Sequence, residues 1–294
     1  MPKGVILKGV GGFYSVLIDG EDEVVVCRLR GRLRLGERRV LPGDRVEVSL
    51  EDGEEGVVEE ILPRHSEMIR PPVANVDQVV VVQSVAQPDP SPTLIDRLVV
   101  LAEDSHLGVI LVFNKVDQGL TDEARRLVDI YWSIGYPVLL TSAKSKEGVE
   151  ELTDALVGKI SMLAGLSGVG KSSVINAILP GANLTTGSVS ERLGRGRHTT
   201  RHVELLPLPK GGLLADTPGF SQLQLPEMER ARLQELFIEF GKYAPQCRFS
   251  GCLHYKEPDC AVREAVAQHH IAESRYANYV TLLEELIEYE ENRY

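Results

Sequence analysis

The sequence predicts a multidomain chain: an N-terminal all-β, OB-like barrel, a central α/β domain built round a phosphate loop, and a small C-terminal helical, zinc-binding domain. Three observations predict it. Short alternating strands separated by turns fill residues 1–66. Residues 67–223 alternate apolar strand runs with amphipathic helices around Gly165-Leu166-Ser167-Gly168-Val169-Gly170-Lys171-Ser172-Ser173. Residues 224–294 combine helical spacing with Cys247, Cys252, His254 and Cys260.

In the first part, residues 9–18 and 23–29 read as strands around an Asp19-Gly20 turn. Residues 45–49 alternate strictly after the turn at Leu41-Pro42-Gly43-Asp44, and residues 56–61 add another strand. Five short strands suit an OB-fold, and equally an SH3-like barrel. Arg28, Arg30, Arg32, Arg34, Arg38 and Arg39 crowd one stretch, opposed in sequence only by Glu37. Alternation along a strand and loop would put several guanidinium groups on one face, a phosphate-binding surface for RNA. The plainer reading is an edge strand kept from aggregating by charge. Phe13 and Tyr14 are candidates for stacking on bases, or for core packing.

In the central part, strands are expected at 77–83, 109–113, 138–140, 160–164, 202–206 and 212–216, and helices at 93–104, 122–134, 150–156 and 171–179. Thr121 is the expected N-cap of the second helix. The phosphate loop sits between a buried strand and a helix, where backbone N–H groups can cradle phosphates. Lys171 would reach the β- and γ-phosphates, and Ser172 would give Mg²⁺ a neutral oxygen. Asn114-Lys115-Val116-Asp117 offers a guanine reader: Asp117 can accept from both N1–H and the N2 amino group, which adenine cannot match. Asn114 can meet N7, Lys115 can lie over the ring, and the backbone of Ser142 and Ala143, in Thr141-Ser142-Ala143-Lys144, can donate to O6. Asp216-Thr217-Pro218-Gly219 is the acidic turn that senses metal and γ-phosphate. In most GTPases the guanine motifs follow that turn. Here they precede the phosphate loop, so the domain reads as a circularly permuted P-loop GTPase, with GTP and GDP preferred over adenine nucleotides.

The polar, glycine-rich residues 181–196 read as a switch loop. Thr200 is the expected second Mg²⁺ ligand, with Thr199 the alternative. Phe220 occupies the place where many GTPases carry a water-orienting Gln, and an apolar ring cannot do that work. His198 is the nearest candidate for the catalytic group, or else makes a structural switch contact.

Three clustered cysteines and one histidine favour one closed, tetrahedral Zn²⁺ over disulfides, which would leave a thiol unpaired. Helices at 227–243 and 272–290 would flank the cluster. The net charge of −11 excludes a uniformly basic chain without excluding a local RNA-binding patch. No run of eighteen apolar residues occurs and no signal-peptide pattern opens the chain, so a cytoplasmic protein with no membrane segment is expected; a monomer is expected as well.

Taken together, Asn114–Asp117, Gly165–Ser173, Gly196-Arg-His-Thr-Thr200, Asp216–Phe220, the Cys₃His cluster and Arg275-Tyr-Ala-Asn-Tyr279 resemble the ribosome small subunit-dependent GTPase A family of bacteria. The resemblance implies GTP hydrolysis stimulated by the small ribosomal subunit, contact with its rRNA, and a role in late maturation of that subunit. The alternative is an RNA-binding module carrying guanine nucleotide only as a structural element.

Overall fold

The structure is a computed structural model that describes residues 1–21, 23–34, 39–50, 55–69, 71–181, 203–216, 225 and 228–292. Five strands close a barrel: β1 (Lys3–Val10), β2 (Phe13–Ile18), β3 (Val24–Leu29), β4 (Arg45–Leu50) and β5 (Glu55–Ile61), in the order β1-β2-β3-β5-β4. The helical turn α1 (Gly31–Arg34) follows β3. Residues 9–18, expected as one strand, are split by a turn at Gly11-Gly12, where φ of +61° and +85° favours glycine. The β3–β5 pairing is parallel. Every other ladder in the barrel is antiparallel, a long-range arrangement that strand spacing alone did not reveal. Period-two alternation sends Ile6, Val16, Ile18, Cys27, Val46, Val48 and Val58 inward.

A short hairpin follows, β6 (Glu67–Ile69) and β7 (Pro72–Ala74). Then come β8 (Gln78–Ser84), α2 (Pro92–Asp104), β9 (Gly108–Asn114), α3 (Asp122–Ile134), β10 (Val138–Thr141), α4 (Val149–Ala155), β11 (Ile160–Ala164), α5 (Lys171–Ile178), β12 (Glu204–Pro207) and β13 (Leu213–Asp216). One sheet runs β10-β9-β8-β11-β13-β12. β8 and β11 are buried along their whole length, as strands in the interior of the sheet order are. Thr121 caps α3 as expected, its hydroxyl accepting from Ala124 N–H at 3.1 Å. Gly135, at φ +110°, ends the same helix.

The C-terminal part contains α6 (Arg230–Glu235), two 3₁₀ segments, α7 (Ala261–Ala267) and α8 (Glu273–Glu291). The single helix expected over 227–243 is instead α6 followed by a 3₁₀ turn at Ile238–Lys242. The break lets Phe237 and Phe240 both turn inward against Tyr279, with ring centroids 5.2 and 4.9 Å away.

By contacts the chain makes two compact units: Met1–Val80 with Gly148–Ala164 and Lys171–Gln222, and Val81–Glu147 with Gly165–Gly170 and Leu223–Tyr294. In the first, Arg64 reaches Asp44 at 2.6 Å and Asn75 Nδ2 donates to the Gly43 carbonyl at 2.8 Å, so the chain leaving the barrel is locked onto the 41–44 turn. A side chain at Gly43 would meet the Ala74 carbonyl at 2.0 Å. In the second, α2 packs against α8, and Leu233, Phe237, Phe240, Tyr279, Leu282 and Leu283 form the core of the helical part.

Candidate guanine-nucleotide site and metal centre

β9 delivers Asn114 to its C-terminal end and β10 does the same for Thr141, where open α/β sheets hold ligands. Asn114 is 1% exposed, and both ends of its amide are hydrogen-bonded. Its Nδ2 donates to the Val169 carbonyl at 3.0 Å, while Oδ1 accepts from Ala143 N–H at 3.2 Å and Thr141 Oγ1 at 3.3 Å. One buried amide thus joins the phosphate loop to the Thr141–Lys144 loop. Lys115, held at φ +71°, donates Nζ to the Gly168 carbonyl at 2.7 Å and to the Gln87 carbonyl. Burial pulls its ammonium below the ordinary lysine value. Asp117 Oδ1 accepts from Ser142 Oγ at 2.6 Å, and Lys144 Nζ stands 4.0 Å from Oδ2. Val116 begins the 3₁₀ turn that carries Asp117.

The peptide N–H groups of Ser142 and Ala143, expected to serve the base O6, are committed here to the Glu147 and Asn114 oxygens. Asn114 likewise binds Val169 where a contact to N7 was expected, so the residue organises the loops before it touches any base.

Gly165, Gly168 and Gly170 adopt φ of +138°, +85° and +99°. A Cβ at Gly165 would lie 2.2 Å from the Val82 carbonyl, and one at Gly170 would lie 2.3 Å from Asn114 Nδ2. Only glycine permits this path, and the path is what turns N–H groups toward a phosphate. Val169 is buried, whereas Leu166, Ser167 and Gly168 are exposed at the loop's surface. Lys171 opens α5, and burial lowers its pKa; Ser172 is buried beside it in sequence and Ser173 half-buried. The backbone of Asp216 ends β13, paired with Glu204. His198, Thr199, Thr200, Gly219 and Phe220 lie outside the described residues, as does the side chain of Asp216.

The expected metal ligands do come together. The Sγ atoms of Cys247, Cys252 and Cys260 and a ring nitrogen of His254 all lie within 4.8 Å of one another. Cys247 and Cys260 sulfurs are 3.9 Å apart, and His254 Nδ1 is 3.5 and 3.4 Å from them. A tetrahedral Zn²⁺ with ordinary bond lengths requires S···S edges of about 3.8 Å and S···N edges of about 3.6 Å. The donor set therefore fits the ion in both chemistry and size. Without a cation, burial pushes the Cys252 thiol up to about 12. His269 and His270 are exposed and outside the cluster.

The basic stretch differs from its expected form. After Arg30 the chain takes the helical turn α1 rather than continuing as an alternating strand, and acidic partners come from β5. Arg28 pairs with Glu55 at 3.0 Å, Arg30 with Glu59, and Arg32 Nη2 donates to the Glu59 carbonyl at 2.9 Å. Arg28 also covers the half-exposed Phe13 ring at 4.7 Å, which places that ring on the outer face and not in the core. Arg38 lies outside the described residues, as does the Arg34 side chain.

Sequence reading missed Gln87, Gln234, and Asp96 and Glu239, the partners of Arg275. Gln87 contributes only a backbone oxygen, which no side-chain pattern reveals, and the others find their partners far along the chain.

An Asn-Lys-x-Asp loop placed ahead of the phosphate loop defines a circularly permuted P-loop GTPase. A family model described as RsgA GTPase matches residues 61–226, and one described as RsgA N-terminal domain matches residues 3–58. The chain belongs to the RsgA GTPase family, and is a GTP hydrolase. It is 50% identical over 285 residues to a Carboxydothermus hydrogenoformans protein named "Small ribosomal subunit biogenesis GTPase RsgA", with 97% of each chain covered. Among solved structures it resembles YjeQ from Thermotoga maritima, with TM-score 0.86 and 42% identity over 97% of this chain and 98% of that one. It also resembles YloQ, described as a circularly permuted GTPase, with TM-score 0.84 and 39% identity over 98% of this chain and 96% of that one. Among the described residues no helix is long and apolar enough to cross a membrane.

Proposed function

We propose that this GTPase acts in the cytoplasm, as a monomer, on the small ribosomal subunit during its late maturation, hydrolysing GTP to GDP and phosphate when the subunit stimulates it. The observation that carries the nucleotide reading is the Asn114 amide, which holds the guanine loop and the glycine-dependent phosphate loop in one construction. The subunit reading is supported by the name that the nearly full-length relative bears.

Asp117, braced by Ser142, discriminates guanine, and Asn114, Lys115, Ala143 and Lys144 shape the base pocket. Gly165 to Ser173 receive the phosphates, with Lys171 as the charged contact. Ser172 and Thr200 hold Mg²⁺, which supplies charge neutralisation on the phosphates. Asp216 and Gly219 sense the γ-phosphate, and His198 is the candidate that orients water. Residues 1–66 dock on rRNA, 67–223 turn over nucleotide, and 224–294 form a domain organised by Zn²⁺ at Cys247, Cys252, His254 and Cys260.

Multiple-turnover GTP hydrolysis with and without purified small subunits tests the reading. A rate raised at least tenfold by the subunits is expected. Tight nucleotide binding with no turnover in either condition would leave a structural nucleotide on an RNA-binding module instead.

A further inference from the structure

His254 is held from both sides of its ring. Nδ1 faces the sulfurs of Cys247 and Cys260 at 3.5 and 3.4 Å, while Nε2 lies 2.6 Å from Oε1 of Gln234 on α6. The residue is 1% exposed, so neither nitrogen can turn to water for a partner. An imidazole that gives the Nδ1 lone pair to a cation must carry its proton on Nε2, and that proton needs an acceptor. The amide oxygen of Gln234 is placed to be it.

We propose that Gln234 is a positioning residue of the metal centre, which fixes His254 in the Nε2–H tautomer so that Nδ1 is the ligating atom. The inference rests on the reading of the cluster as a zinc site and adds a fifth residue to it, from an element outside the Cys247–Cys260 loop. The choice of an amide has a physical reason. Three thiolates and Zn²⁺ already sum to a charge of about −1 in a buried place. A neutral acceptor orients the ring without adding a second negative charge to be desolvated. Other contacts secure the histidine: Tyr276 Oη donates to the His254 carbonyl at 2.8 Å, and the Phe240 ring packs T-shaped against the imidazole with centroids 5.7 Å apart. With these in place, Gln234 controls the proton and not merely the fold. It also links zinc occupancy to the seating of α6, whose Leu233 lies in the helical core.

The test uses the full-length, zinc-loaded protein and a chromophoric zinc chelator in competition, with metal analysis of the wild type first. One equivalent of zinc in the wild type establishes the site independently of Gln234; its absence would defeat the zinc reading, and this inference with it. Given the site, Gln234→Leu should weaken zinc affinity roughly 10–100-fold. Gln234→Glu, which retains an acceptor but adds a charge to be desolvated, should lose less affinity than Gln234→Leu. Equal affinity for Gln234→Leu and wild type, or a loss in Gln234→Glu as large as in Gln234→Leu, would overturn the proposal. If Gln234→Leu does not fold, ¹⁵N-edited NMR of the wild-type His254 ring decides. Zinc at Nδ1 with a slowly exchanging Nε2 proton is expected, and ligation through Nε2 overturns it.

Discussion

Arg275 on α8 donates Nη1 to Oδ1 of Asp96 on α2 at 2.5 Å, and both side chains are only 1% exposed. Glu239 receives the Nε and Nη2 protons at 2.7 and 3.0 Å, and Tyr131 and Asn278 complete the shell of Asp96. Burial opposes the guanidinium charge, but the two carboxylates more than offset it and hold its pKa above the ordinary value. The ring of Phe237 lies 4.5 Å from the same guanidinium. A fully satisfied network of this kind specifies how α8 seats against α2 more than it adds net stability.

Removing one member should therefore be costlier than removing all. Arg275→Met strands two carboxylates and should lower unfolding free energy by about 3–5 kcal/mol. Adding Asp96→Asn and Glu239→Gln to that variant should recover much of the loss. Urea unfolding followed by circular dichroism measures both, and a single-variant cost below about 1 kcal/mol would remove the network from any stabilising role.

Guanine choice should rest on Asp117. Its Oδ1 is fixed by Ser142 Oγ at 2.6 Å, which aims the carboxylate. Asp117→Asn exchanges an acceptor for a donor, so GTP affinity should fall at least tenfold and xanthosine triphosphate, with an oxygen at C2, should gain. Nucleotide titrations check the pair of effects, and unchanged GTP affinity in the variant contradicts the assignment.

Lys171 gives a pH dependence whose sign can be worked out. Burial holds its pKa below the usual lysine value in the free protein. A bound triphosphate favours the charged form and raises it, so binding takes up a proton at any pH between the two values. GTP affinity should be flat below the free-protein pKa and should fall as pH rises through it, by at most about tenfold per pH unit. Lys171→Arg, charged throughout, should show no such fall. Binding titrations from pH 7 to 10 decide, and a flat wild-type profile would place Lys171 away from the phosphates.

What was legible in the sequence follows the range of the interactions. α3 matches its expected bounds because its Thr121 cap, apolar spacing and Gly135 stop are all local. The Cys₃His cluster was legible because its four ligands lie within fourteen residues and chemistry allows them few other fates. The parallel β3–β5 pairing, the Gln234–His254 bond and the Arg275 network are set by tertiary packing, and nothing in local pattern encodes them. The arginine stretch shows the same limit. Its charge was visible, but the partners on β5 were not, because they lie some 27 to 29 residues further along the chain.

Those partners lead to a prediction about docking. Arg30 donates to the Glu59 carboxylate, and this contact is the main reason the Glu59 pKa is lowered, with Ser49 Oγ adding a second hydrogen bond at 2.9 Å. A guanidinium so engaged must break that contact before it can meet a phosphate. If the barrel docks on rRNA, Glu59 acts as a competing internal anion. Glu59→Gln should then strengthen small-subunit binding and steepen its dependence on salt by about one released counterion, whereas Arg30→Gln should weaken binding and flatten the slope. Intrinsic GTP hydrolysis should be unchanged in both variants, since neither residue belongs to the nucleotide site. Binding measured by co-sedimentation at several KCl concentrations makes the comparison. Weaker binding by Glu59→Gln would mean that the pair supports the barrel's shape, and that the arginines serve as a solubilising edge rather than as a docking face.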